Sequence, residues 1–268
     1  MSKIAFLGAG NMAAAMIHGL IAQKVCAPSD LVCYTASGKS AAALAQSTGV
    51  QHATNPTDLM RGADLLVVAF KPLHLGSLDS SWSELADGKL VLSVLSGKTL
   101  TRLQSVFPKA RNWVRSMPNT PGRIGAGITG WCAAKPLTES DRKLVQDLLG
   151  ALGREIETAE NDLDAITAVS GSGPGYVFEF AAALEEAARN AGLTTEQSRL
   201  LTVETLLGSA RLLARTGESP DKLRDQVTSP NGTTLAGLNT LKAGDFRALI
   251  TKTVLAAKAR AKEISQES

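Results

Sequence analysis

The sequence predicts an α/β fold in two parts: alternating strands and helices over residues 1–160, then an all-helical stretch over 161–268. Two observations predict it. Short apolar runs alternate with segments of helical spacing through the first part, the pattern of a largely parallel sheet with crossover helices. Strand signals then stop after about Glu160, and long alanine-rich periodic segments take over.

Residues 3–8 form the first apolar run, and residues 11–23 have helical spacing at Met12, Met16, Ile17 and Leu20. Residues 31–34 read as the second strand, followed by a helix over 40–47. Residues 64–70, 90–95 and 112–117 are further buried strands. Residues 138–152 form an amphipathic helix with Leu144, Leu148 and Leu149 on one face. In the second part, residues 174–191 are helical, with Pro174 suited to a first turn and Gly192 to a C-cap. Residues 195–215 make a second long helix, ended by Gly217 to Pro220, and shorter helices cover 221–227, 233–242 and 246–264. Ala181, Ala182, Ala183, Ala187 and Ala188 permit close helix contact, in a stretch rather short to bury all of its apolar faces alone. It is either a compact monomeric bundle or interlocks with a second subunit.

Hydrophobic residues make up 44% of the 268 and charged residues 20%, the balance of a globular protein with a sizeable core. The formal charge of +3 is small and the basic residues are scattered, so nucleic acid is not an expected partner. Cys26, Cys33 and Cys132 are odd in number and widely separated, which gives neither a disulfide framework nor a zinc site. His18, His52 and His74 are unclustered, and no metal is expected. The first apolar run is broken by Gly8, Gly10 and Asn11, too early for a signal peptide. No stretch approaches the ~20 apolar residues of a membrane span. The expectation is a cytoplasmic protein with no membrane partner.

Gly8-Ala9-Gly10-Asn11-Met12-Ala13 follows the first strand and opens the first helix. Glycines there allow a tight turn and close approach of a pyrophosphate to backbone N–H groups, and the helix N-terminus adds partial positive charge. Ala13 replaces the third glycine, as the looser form of this fingerprint accepts. The position of the motif within a β-α series predicts a Rossmann dinucleotide-binding domain. The second strand ends in Tyr34-Thr35-Ala36-Ser37-Gly38-Lys39, without the carboxylate that receives the ribose 2′-hydroxyl of NAD. Hydroxyls and a lysine suit a 2′-phosphate instead. NADPH is therefore the expected cofactor, with NADH the less favoured alternative. Ala69-Phe70-Lys71-Pro72 and residues 93–97 end later strands at the same sheet edge.

Three further segments carry a family resemblance: Met117 to Pro121, Ser170 to Tyr176, and Val227 to Thr234 (reading Val-Thr-Ser-Pro-Asn-Gly-Thr-Thr). Taken with the first two motifs, their order and spacing resemble pyrroline-5-carboxylate reductase over residues 4–264. The resemblance implies that Gly8, Gly10, Asn11 and Met12 hold the cofactor, with Thr35, Ser37 and Lys39 near the adenosine phosphate. Asn55 would meet the adenosine ribose, and Ala69, Lys71, Pro72, Ser93 and Gly97 would line the nicotinamide side. Ser229, Gly232, Thr233 and Thr234 would hold the substrate carboxylate and imine, with Glu160 also near the substrate. The resemblance also implies a homodimer through the helical domain, and larger rings of dimers. Asn231, Gly175 and Ser96 depart from the family's usual residues, though Asn tolerates left-handed backbone better than other non-glycine residues.

The implied reaction is hydride transfer from NADPH to the C=N bond of 1-pyrroline-5-carboxylate, giving L-proline. Such a reaction mainly requires alignment of two ligands and a protonated imine, with Thr234 as hydrogen-bond partner of the ring nitrogen. Two rivals stand beside it. A 3-hydroxyacid dehydrogenase of the same plan would rely on a Lys in the helix after the glycine-rich segment, where residues 174–191 carry only Arg189 as a basic residue. A non-catalytic NADP-binding regulator would need no complete substrate turn.

Overall fold

The computed structural model describes residues 3–266. The chain divides into two compact units, Met1–Ser172 with Ala256–Ser268, and Gly173–Leu255. The sequence alone suggests a divide at 160/161; the compact units part later, and the end of the last helix returns to the first unit.

In the first unit, β1 (Lys3–Leu7), α1 (Asn11–Ala22), β2 (Leu31–Tyr34), α2 (Lys39–Thr48), β3 (Gln51–His52), α3 (Pro56–Met60) and β4 (Ala63–Val68) follow in turn. After these come α4 (Ser81–Leu85), β5 (Leu90–Ser93), α5 (Leu100–Val106), β6 (Asn112–Met117), β7 (Gly127–Ala133), α6 (Glu139–Gly150), β8 (Gly153–Glu157) and α7 (Leu163–Ile166). The sheet order is β3-β2-β1-β4-β5-β6-β7-β8. The strands from β3 to β6 are parallel, β7 runs antiparallel to β6, and β8 is parallel to β7. The first six positions have the strand order of the dinucleotide-binding α/β fold.

Strand periodicity builds the core. In β1, Ile4 and Phe6 join one apolar layer and Ala5 and Leu7 the other; in β4, Leu65 and Val67 oppose Leu66 and Val68. Because both faces are covered, these strands are almost continuously apolar, as buried parallel strands require. Met16, Ile17 and Leu20 of α1 and Val145, Leu148 and Leu149 of α6 fill the first layer. Trp82, Leu103, Phe107 and Trp113 fill the second, where the Trp113 indole donates to Phe107 O at 3.0 Å. Arg111 clamps the sheet's other edge, with bonds of 3.1 and 2.6 Å to the Asp141 carboxylate and of 3.0 and 2.9 Å to the Asp64 and Gly88 carbonyls.

The second unit holds α8 (Gly173–Asn190), α9 (Thr195–Thr216), α10 (Pro220–Gln226), α11 (Thr233–Ala243) and the first part of α12 (Phe246–Gln266). A reciprocal capping box between Thr194 and Gln197 opens α9, and left-handed Gly217 closes it. In this unit only Ser198 and Thr202 are buried. Phe178, Leu200, Leu249 and Leu255 are each more than half exposed, at 66%, 62%, 57% and 59%. A helical unit that buries two hydroxyl residues and leaves its large apolar residues outside is incomplete as a single chain. Among the described residues no helix is long and apolar enough to cross a membrane.

Candidate active site

The parallel strands all end at one sheet edge, and connections leave in opposite directions on the two sides of β1. Ligands of such folds bind at this topological switch point. The two glycines after β1 serve different ends. Gly8 has φ +121° and donates its N–H to Tyr34 O at 2.9 Å; a Cβ there would lie 2.5 Å from the Ala69 carbonyl. Gly10 is the N-cap of α1, with no side-chain cap, and nothing within 4 Å of the place where a Cβ would stand. The N–H groups of Asn11, Met12 and Ala13 thus open a helix without intrahelical acceptors.

At the end of β2, Thr35 O accepts the Gly38 N–H at 2.9 Å, and left-handed Gly38 is the N-cap of α2. No side chain caps this helix, its first turn has no carboxylate, and Ser37 and Lys39 are exposed. Asn55 is committed locally: it caps α3, accepting the Asp58 N–H at 2.9 Å and donating to the Asp58 carboxylate at 2.7 Å.

Beyond β4, Ala69 N–H donates to Leu7 O at 2.9 Å, and exposed Lys71 precedes a 3-10 turn, Pro72–Ser77. Buried Ser93 ends β5; its hydroxyl accepts the Leu95 N–H at 3.1 Å and its carbonyl accepts the Ser116 hydroxyl at 2.9 Å. Gly97 has φ +74° and packs on Ile264 of α12, so closely that a Cβ would stand 2.4 Å from the Ile264 side chain. Glu160 turns to neighbouring backbone and an arginine: Oε1 accepts the Leu100 N–H at 2.7 Å and Arg115 Nη1 at 3.2 Å. Sequence reasoning passed over Arg115. An arginine inside strand β6, buried over its first five residues, was the available signal, since a buried cation needs partners. Asn119 was singled out only as part of a motif. It links β7 to the π-helical turn over Thr167–Gly171, accepting the Ile128 N–H at 3.0 Å and donating to Ser170 O at 3.1 Å.

In the second unit, the turn before α11 leaves an uncapped helix start. Asn231 takes a left-handed φ of +59°, Gly232 donates its N–H to Ser229 O at 3.1 Å, and Gly232 becomes the N-cap. No side chain caps α11, and Thr233 and Thr234 are exposed at its first turn. Open N–H groups beside the Ser229, Thr233 and Thr234 hydroxyls can receive a carboxylate. The thiols offer no nucleophile. Burial pushes Cys33 and Cys132 each up to about 11, and burial followed by the Asp30 charge raises Cys26. All three are free and buried.

A glycine-rich β1–α1 turn at the switch point of a parallel sheet, followed by a helical unit, defines a two-unit dinucleotide-dependent oxidoreductase. The family model for NADP oxidoreductase, coenzyme F420-dependent, matches residues 3–97, and that for pyrroline-5-carboxylate reductase dimerisation matches residues 160–264. Pyrroline-5-carboxylate reductase 1 of Bacillus subtilis (strain 168) is 37% identical, over 99% of this chain and 90% of that protein. The solved structure of a Coxiella burnetii pyrroline-5-carboxylate reductase is 36% identical, with a TM-score of 0.92 over 98% of both chains. That of Plasmodium falciparum pyrroline carboxylate reductase with NADP bound is 30% identical, with a TM-score of 0.87 over 98% of both chains. The chain belongs to the pyrroline-5-carboxylate reductase family.

Proposed function

We propose that this protein reduces 1-pyrroline-5-carboxylate to L-proline with NADPH, the last step of proline biosynthesis. The observation that carries the reading is the open turn at residues 229–234, where left-handed Asn231 and N-cap Gly232 present an uncapped helix start beside exposed threonines. Family membership supplies the substrate, and the chemistry of the turn fits its carboxylate. The test is NADPH oxidation with pyrroline-5-carboxylate; no turnover by the assembled protein would overturn the reading.

The first unit fits the cofactor. Open space at Gly10 and the uncapped start of α1 suit a pyrophosphate held by Gly8, Gly10, Asn11 and Met12. The start of α2, without a carboxylate and flanked by Thr35, Ser37 and Lys39, suits a 2′-phosphate. Asn55 would reach the adenosine side through the α3 start, while Ala69, Lys71, Pro72, Ser93 and Gly97 would border the nicotinamide. When bound, NADPH supplies the hydride. The chain's own residues do the rest. Ser229, Gly232 and Thr233 hold the carboxylate, and the Thr234 hydroxyl orients the imine nitrogen in its protonated form, so no strong side-chain acid is required. The family resemblance assigns Glu160 to the substrate; within the first unit it accepts from Arg115 and from the Leu100 N–H at the start of α5.

Ser37 and Lys39 decide cofactor choice in this reading. Lys39→Glu is expected to lower catalytic efficiency with NADPH by about tenfold or more, the loss of one charge-assisted bond, with NADH use nearly unchanged. Equal losses with both cofactors would place the 2′-phosphate elsewhere.

The protein assembles through its helical domain, residues 161–268, as a homodimer, and rings of such dimers extend the same arrangement. The outward apolar residues of α8 and α9 and a family model named for dimerisation support it. Sedimentation at micromolar concentration is expected to find no stable monomer. An active monomer would sink this part of the proposal. The three free thiols accord with a reducing cytoplasm.

A further inference from the structure

We propose that Arg115 is a positioning residue for hydride transfer, the hub of a part-buried ionic bracket that holds the loop between β5 and α5, residues 94–99, in its working shape. The inference rests on the placement of that loop beside the nicotinamide.

Arg115 lies in β6 in register with Ser93 of β5, the residue before the loop, and is only 6% exposed. Its guanidinium reaches two carboxylates, Glu160 at 3.2 Å and Asp164 at 3.4 Å. Neither is simply a counter-ion. Glu160 Oε1 also accepts the Leu100 N–H at 2.7 Å, which fixes the first residue of α5, where the loop ends. Asp164 also accepts the Ser265 hydroxyl at 3.3 Å, which seats the last turn of α12. The neighbouring Ile264 side chain then packs on Gly97 in the middle of the loop. One cation thus governs the loop's far end through Glu160 and its centre through Asp164, Ser265 and Ile264. Its start is held separately, by the Ser93 hydroxyl on the Leu95 N–H.

Such a bracket has a stability cost. Two carboxylates and one guanidinium leave one excess negative charge in a part-buried place, and apolar packing would serve folding as well or better. Its directional bonds define the loop's geometry, and hydride transfer is sensitive to displacements of about an ångström, worth on the order of 100-fold in rate.

The experiment uses the assembled enzyme with Arg115→Lys, which keeps the charge and loses the fork to two carboxylates, and Ile264→Ala, which removes the side-chain packing on Gly97. Both are expected to lower kcat on the order of 10- to 100-fold. The deuterium isotope effect from 4-deuterated NADPH should rise, because hydride transfer becomes rate-limiting. KM for pyrroline-5-carboxylate and the NADPH-to-NADH preference should stay near wild type, since neither the anion turn nor the adenosine side is touched. If Arg115→Lys fails to fold, Ile264→Ala decides alone. Folded variants with unchanged kcat and isotope effect would overturn the proposal, as would a loss confined to thermal stability. Failure of the cofactor reading itself looks different: the wild-type protein would then bind no NADPH in a direct fluorescence titration.

Discussion

Gly8→Ala is expected to weaken NADPH binding by roughly one to four orders of magnitude and to remove most of the reductase activity. The reason lies in two independent demands at one residue. A φ of +121° is a region L side chains rarely adopt, at a cost of roughly 1–3 kcal/mol. A methyl group would in addition stand 2.5 Å from the Ala69 carbonyl carbon and oxygen and 2.7 Å from Phe70 N. That neighbour is the backbone beyond β4 and cannot swing aside. Relief requires β1 and β4 to part where Ala69 N–H bonds Leu7 O, at a further cost of roughly 1–3 kcal/mol for overpacking. The combined cost of several kcal/mol falls on the turn that would receive the pyrophosphate. Binding should therefore weaken by roughly 30-fold to about 10,000-fold, at ~1.4 kcal/mol per decade. Fluorescence titration with NADPH and a thermal melt measure both consequences. Gly10→Ala is the matched control: no neighbouring atom lies within 4 Å, so it should fold normally and lose affinity only through contact with the ligand. A Gly8→Ala protein that binds NADPH like the wild type would refute this account of the turn.

How much of this was legible beforehand varied with the physical origin of each feature. Parallel strands buried on both faces announce themselves as apolar runs, and β1, β2, β4, β5 and β6 were all readable for that reason. The strands passed over had weaker patterns. In β8, Gly153–Glu157, Ile156 stands among charged residues and is 53% exposed at the sheet edge. In β7, Gly127–Ala133, glycines at positions 127 and 130 break the alternation, because α7 packs so closely that a Cβ at Gly130 would meet Ile166 at 2.9 Å. The π-helical turn over Thr167–Gly171 has no periodic signature at all. In the candidate site, the local elements were legible because backbone geometry wrote them: a glycine with positive φ, an Asn at +59°, helix starts without caps. The long-range ones were not. Arg115 meets Glu160 and Asp164 across 45 and 49 residues, and only the fold brings them together. Gly97 was legible as a residue just beyond a buried strand, yet its contact with Ile264 depends on where α12 ends.

Thr234→Val is expected to cost about ten- to hundredfold in catalytic efficiency with pyrroline-5-carboxylate while leaving folding and NADPH affinity near wild type. Valine keeps the shape of threonine and removes the hydroxyl alone. In α11 the N-cap is Gly232, and no side-chain oxygen caps the helix, so the Thr234 hydroxyl is not doing a cap's duty. The residue is exposed on the first turn, two positions after the N-cap and three after the left-handed Asn231 that shapes the turn. Removing a hydrogen bond to a charged group costs roughly 1.5–3 kcal/mol. At ~1.4 kcal/mol per decade of rate, that becomes the stated loss when the partner is a protonated imine. A capping role would have the opposite signature, about 1 kcal/mol of lost stability with activity retained. Kinetics and melting temperature on one preparation separate the two. A threefold or smaller change in efficiency would remove Thr234 from the chemistry and leave the turn only the carboxylate to hold.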